Sequence, residues 1–202
     1  MWLNFSILII ILMTKLNAAA NLNSNTYFVN NATLTGPDQY LLYWNYTATD
    51  ITFKVVVKTS GWVGFGLTPN GGMPYSDLVI AYKKTDGSAD FTNRYVESSN
   101  GLPVVNSIQN WKMLLYQQEN SFTTVIFTRK IQICNSAHSI DILPGAQLII
   151  FAWGDSFSQN NIAYHGTKNR SSTALPLISS LNRKVVLNMS EIETYDFTVN
   201  VS

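Results

Sequence analysis

Residues 51–58 read Ile-Thr-Phe-Lys-Val-Val-Val-Lys, which places Ile51, Phe53, Val55 and Val57 on one side of an extended chain. A period of two suits a strand with one buried face and does not suit a helix, whose apolar positions recur every three to four residues. No stretch of the chain sustains the helical period. Further short strands are expected at Tyr40–Tyr46, 61–67, Asp77–Lys83, 90–95, 111–118, 122–129 and 147–153. The last of these, Gln-Leu-Ile-Ile-Phe-Ala-Trp, is the most apolar and is expected to be central. Turn residues punctuate them at Pro69-Asn70-Gly71-Gly72, Thr85-Asp86-Gly87 and Glu119-Asn120-Ser121. Residues 101–108 are looser, and 184–188 and 195–201 read as late strands. Many short strands with turns between them imply an all-β sandwich. Trp44, Trp62, Trp111 and Trp153 fall on these strands and are expected in its core. The glycines spaced through 61–67 mark a place of close backbone approach.

Both ends of the chain read differently. Residues 5–13, Phe-Ser-Ile-Leu-Ile-Ile-Ile-Leu-Met, precede Ala18-Ala19-Ala20. An apolar run of this length before small residues reads as a secretory signal over residues 1–20, and it is too short to anchor in a bilayer. Residues 21–38 form an Asn-rich leader with at most one strand, around Tyr27-Phe28-Val29. The sandwich is expected over 39–177, and 178–202 is an extension that could add strands. In an extracellular setting Asn31, Asn45, Asn169, Asn188 and Asn200 are candidate glycosylation sites, each heading an N-x-S/T triplet. Only 12% of residues are charged and the formal net charge is +1. That balance provides no basic surface for nucleic acid and no polybasic membrane patch. The one cysteine, Cys134, excludes an internal disulfide. It is either a buried, inert thiol or a candidate for a covalent dimer through an intermolecular bridge.

Three stretches together resemble a known family. They are Tyr-Leu-Leu-Tyr-Trp-Asn-Tyr at 40–46 leading to Gly-Trp-Val-Gly-Phe-Gly at 61–66, Gly-Met-Pro-Tyr-Ser-Asp-Leu-Val-Ile-Ala-Tyr at 72–82, and 127–153 followed by Tyr164-His165-Gly166. In order and spacing they resemble the DOMON domain, most closely the N-terminal DOMON domain of dopamine β-hydroxylase-like monooxygenases. The resemblance implies an immunoglobulin-like antiparallel β-sandwich of about ten strands. It also implies an extracellular module that binds haem or sugar or docks onto a redox partner. The copper catalytic module that accompanies such domains in the monooxygenases is expected to be absent here.

The candidate site residues follow from that resemblance. Met73 and His165 match the axial haem ligands of haem-binding relatives, and a thioether–imidazole pair is a recognised ligand set for a b-type haem iron. Flanking Trp62, Phe65, Tyr75 and Trp153 would wall the slot. The ordinary roles beside this are a gap-filling Met and a half-exposed His. Asp77, the Leu78 carbonyl, the Tyr95 carbonyl or a neighbour, and Asn106 match a metal set, with calcium as the expected ion. Asn106 replaces a carboxylate there, which weakens the set. Asp77 has the alternative role of capping a turn before its strand. With only His138 and His165 present, the several ligands of a two-copper site are lacking, and no hydrolase, zinc or nucleotide motif occurs. The chain is therefore expected not to be an enzyme. Three functions stay open. The first is a secreted, glycosylated, non-catalytic module binding an extracellular ligand, glycan or protein, with the extracellular matrix as one setting. The second is a b-type haem redox module. The third is a docking partner of a separate copper monooxygenase subunit.

Overall fold

The computed structural model describes residues 28–98, 101–134, 137–154, 157–158 and 161–179. The expected signal segment, Asn188, Asn200 and the two late strands lie outside the described residues. Among the described residues thirteen strands run β1 (Asn30–Thr35), β2 (Tyr40–Tyr46), β3 (Asp50–Val57), β4 (Trp62–Leu67), β5 (Asp77–Lys83), β6 (Ala89–Tyr95), β7 (Val104–Val105), β8 (Trp111–Glu119), β9 (Phe122–Lys130), β10 (Ala146–Gly154), β11 (Phe157–Ser158), β12 (Asn161–Ile162) and β13 (Arg170–Pro176). Five form one antiparallel sheet, A, in the order β1-β2-β3-β9-β8, and six form a second, B, in the order β13-β10-β4-β5-β6-β7. β11 and β12 make a separate small hairpin.

The alternation in β3 does what its period requires. Ile51, Phe53, Val55 and Val57 are fully buried between the sheets. Tyr40, Leu42 and Trp44 of β2 and Val125 and Phe127 of β9 join them from the same sheet. Val63, Phe65 and Leu67 of β4 and Ile149, Phe151 and Trp153 of β10 face them from sheet B. All four tryptophans expected in the core are buried. Trp44 Nε1–H donates to the Leu177 carbonyl at 2.8 Å and the Tyr40 hydroxyl to the Gly64 carbonyl at 3.0 Å, so the polar atoms of these rings are satisfied inside. Asn120 and Ser121 sit at φ 51° and 66°, as a two-residue hairpin turn between β8 and β9 demands.

β10 lies between β13 and β4, so the expectation of an interior position for 147–153 holds. One expectation is corrected, and one strand is new. The leader does not extend to residue 38: Asn30–Thr35 is a strand paired with β2, and a type II turn at Pro37 (φ −61°, ψ 124°) and Asp38 (φ 62°, ψ 9°) joins them. β13 was not foreseen at all. Both are edge strands with few buried side chains, recruited through backbone hydrogen bonds that leave little hydrophobic pattern behind.

The glycine expectation holds at one position above all. Gly66 pairs with Leu78, and a Cβ added at Gly66 would stand 2.5 Å from Leu78 Cβ and 2.8 Å from the Asp77 carbonyl. Gly66→Ala is expected to cost about 1–3 kcal/mol by forcing β4 from β5. Chemical denaturation would show it, and an unchanged midpoint would mean the two strands separate freely.

Candidate functional site

Two constellations lie on sheet B, one on its outer face and one at its junction with sheet A. The outer face follows from strand parity. With Val63, Phe65 and Leu67 turned inward, Trp62, Gly64 and Gly66 of β4 turn outward, as do Leu78, Ile80 and Tyr82 of β5. Trp62, Leu78, Ile80, Tyr82 and Val96 form a second apolar cluster, separate from the main core. Met73, Ile150, Ala152 and Ile162 pack against it. The Trp62 ring lies over Gly64, whose added Cβ would meet it at 3.2 Å, and also abuts Gly154.

The two residues matched to haem ligands both belong to this face. Met73 sits in the loop after β4, and hydrogen bonds hold that loop in place. Thr68 Oγ1 donates to the Gly72 carbonyl at 2.5 Å, and Ser76 Oγ to the Met73 carbonyl at 2.6 Å. The next residue but one, Tyr75, takes φ 62° and is 65% exposed, with its N–H donating to the Val96 carbonyl at 2.7 Å. His165 follows β12, its ring 6.3 Å from that of Trp62, while Trp62 Nε1–H donates to the neighbouring Ala163 carbonyl at 3.1 Å. His165 Nδ1 lies 2.7 Å from the Gly166 carbonyl. A carbonyl only accepts, so this contact is a hydrogen bond when Nδ1 carries the hydrogen. A thioether and an imidazole beside one apolar cluster are donor types that a haem iron accepts. Of the expected wall residues, Trp62 belongs to this face and Tyr75 to its loop. Phe65 and Trp153 instead point into the main core, because their parity turns them inward.

The second constellation centres on Asp77, the first residue of β5, which is fully buried. Four N–H groups reach its carboxylate. Asn93 Nδ2 and Trp111 Nε1 donate to Oδ1 at 2.8 and 2.9 Å. Arg129 and the Ile140 backbone N–H donate to Oδ2 at 2.9 and 3.2 Å. The Asp77–Arg129 ion pair is fully buried on both sides and joins sheet B to sheet A. Arg129 is further fixed by the Ile140 carbonyl at 2.7 Å and the Lys130 carbonyl at 3.0 Å, and its guanidinium lies 4.7 Å from the centre of the Trp111 ring. Burial pushes the Arg129 guanidinium below its ordinary value, and the neighbouring Asp77 carboxylate opposes that shift.

The expected calcium set is thus only partly assembled, and it does not fit a cation. Asp77, the Leu78 carbonyl and Asn93 converge, but both Asp77 oxygens already accept two hydrogen bonds each. Of the carbonyl expected from Tyr95 or a neighbour, it is that of Arg94 that lies 3.4 Å from Asn93 Nδ2. The Tyr95 ring stacks on His138 with centroids 3.7 Å apart. Asn106 is buried, its Oδ1 accepts from the Ile108 N–H at 3.1 Å, and its Nδ2 has no partner. Asn93 and Arg129 escaped the sequence reading. Arg129 had a signal, since it shares the inward parity of Val125 and Phe127 and so marks a buried cation needing an anion.

Cys134 is exposed. Asn31 is exposed as well, while Asn45 and Asn169 are half-buried. Among the described residues no helix is long and apolar enough to cross a membrane.

The model of the DOMON domain matches residues 36–154. The chain belongs to the DOMON domain family. Among curated proteins it is 27% identical over 183 residues to human DBH-like monooxygenase protein 1, an alignment covering 83% of this chain and 29% of that protein. It is 28% identical over 185 residues to MOXD1 homolog 1 of Drosophila melanogaster, covering 86% of this chain and 25% of that protein. The chain therefore spans less than a third of these relatives. Two solved structures share the fold. The cytochrome b domain of pyranose dehydrogenase from Coprinopsis cinerea superposes with a TM-score of 0.52 at 12% identity, over 67% of this chain and 75% of that one. The cytochrome domain of Myriococcum thermophilum cellobiose dehydrogenase does so with 0.52 at 15% identity, over 72% and 79%. At such identities the likeness speaks for the DOMON sandwich alone.

Proposed function

We propose that this DOMON domain is an extracellular, non-catalytic binding module whose ligand is a b-type haem held on the outer face of sheet B. One observation carries the reading: Met73 and His165, remote in sequence, border the same apolar cluster, and His165 Nδ1 is tied to the Gly166 carbonyl. The cytochrome domains named above add support, since they are built on the same fold. Met73 Sδ and His165 Nε2 would be the iron ligands, and Trp62, Leu78 and Ile80 the apolar wall. When bound, the haem supplies a one-electron couple, and a methionine ligand raises its potential. The protein's own part is to fix the imidazole tautomer through Gly166, to hold the Met73 backbone through Ser76, and to keep water from the cluster. Trp62, lying over Gly64, would supply the aromatic surface beside the haem.

The test is an absorption spectrum of the purified chain supplied with haem and then reduced with dithionite. A Soret band with sharp reduced bands is expected, lost in both Met73→Ala and His165→Ala while Tyr164→Ala keeps it. A chain that stays colourless with haem present rejects the cofactor. It would leave a module for an extracellular glycan or protein. Docking onto a separate copper monooxygenase subunit would then be the other reading, supported by the named relatives and the exposed Cys134.

A further inference from the structure

We infer that the Asn93 amide takes the place of a cation in the Asp77 cage, so that the two sheets are joined without metal. The inference is independent of haem binding. Three oxygens surround Asn93 Nδ2: Asp77 Oδ1 at 2.8 Å, the Leu78 carbonyl at 3.1 Å and the Arg94 carbonyl at 3.4 Å. Two of these belong to the ligand set that family resemblance assigns to calcium, and the third is one residue from it. Asn93 itself is fully buried.

The amide orientation and a cation exclude one another. With Nδ2 toward the oxygens, two N–H donors serve three acceptors, and Asn93 Oδ1 accepts from the Asn110 N–H at 3.4 Å. Turned over, Asn93 would place its own oxygen against three others, which only a bound cation could hold together. Charge decides between the two states. Asp77 is already neutralised by Arg129 at 2.9 Å, both side chains being fully buried. A divalent ion beside that pair would add two positive charges that the cage does not offset, because Asn93 and Asn106 contribute none and the carboxylates nearby, Glu97 in the adjoining cleft and Asp141 beside Arg129, are exposed. Access is not the obstacle. A cleft of about 210 Å³, lined by Tyr75, Ser76, Tyr95, His138 and Ile140, opens beside the cage, and Ile140 donates directly to Asp77.

The experiment follows the melting temperature of the full chain in EDTA and in calcium, together with terbium luminescence excited through Trp111, whose Nε1 lies 2.9 Å from Asp77 Oδ1. For the wild type the melting temperature is expected to be the same in EDTA and calcium, and terbium to give no sensitised emission. In Asn93→Asp a second carboxylate faces Asp77, the Leu78 carbonyl and the Arg94 carbonyl. That variant is expected to melt lower in EDTA, to gain about 3–8 °C on calcium addition and to sensitise terbium. A calcium-dependent rise in the wild type overturns the inference. So does a folded Asn93→Asp chain that ignores calcium. If Asn93→Asp does not fold, the wild-type pair of measurements decides alone.

Discussion

Asp77→Asn is expected to lower the free energy of unfolding by about 3–5 kcal/mol, one of the two largest losses for a single change in this protein. The substitution keeps the shape, removes the charge and turns one acceptor oxygen into an NH2 that faces two N–H donors, so the loss combines the anion with two broken hydrogen bonds. Arg129 would then lie buried between the sheets with the Ile140 and Lys130 carbonyls and the Trp111 face against it, and the Asp141 carboxylate as its remaining negative neighbour. Desolvating two ions is costly, and the intact pair need not be worth much on its own. The penalty arises because breaking it strands one charge. Arg129→Met combined with Asp77→Asn should therefore recover part of the loss, a non-additivity that a double-mutant cycle in urea would record. The exposed pair Lys130–Asp50 serves as the contrast. Its side chains are 63% and 39% exposed, and Asp50→Asn should leave the midpoint where it was. If Asp77→Asn behaved like Asp50→Asn, water would have to reach Arg129, and the buried node would not exist as described.

Phe53→Ala should cost about as much, 3–5 kcal/mol in order of magnitude, for a different reason. Phe53 is fully buried at the middle of β3, with ring centroids 5.0 Å from Phe65, 5.6 Å from Phe127 and 6.0 Å from Trp111. Those three rings come from both sheets, on strands that pairing and parity hold in place. The space vacated cannot close without moving β4 or β9, so a cavity remains and adds to the lost transfer energy. Total stabilities of domains are about 5–15 kcal/mol, so this is a large share. A lower denaturation midpoint at unchanged slope is the expected signature. A loss under about 2 kcal/mol would show that the aromatic cluster repacks.

The two constellations differ in how far they could be read in advance. Met73 and His165 were proposed from resemblance, and the structure places Met73 against the outer cluster and the His165 ring 6.3 Å from that of Trp62. For Asp77 the residue was legible and its surroundings were not. A carboxylate at the start of a strand looks the same in sequence whether it meets calcium or a guanidinium. Its partners arrive from β6, β8, β9 and the loop before Ile142, and no local pattern announces that meeting.

By itself the sequence determined which segments become interior strands and which side of each faces in. Burial in a sheet has a period of two, and that period is carried by neighbours along the chain: Ile51, Phe53, Val55 and Val57 could be assigned to the core before any pairing was known. Tertiary structure alone decided the rest. It recruited β1 and β13, which pair with the free edges of β2 and β10 and add only a few side chains, Ala32, Leu34 and Leu175, to the core. It also decided that Asp77 meets Arg129, since that contact depends on how the two sheets stack and in which register β9 pairs with β3. Charge neutralisation acts through space, between residues whose separation in sequence carries no information about their distance in the fold.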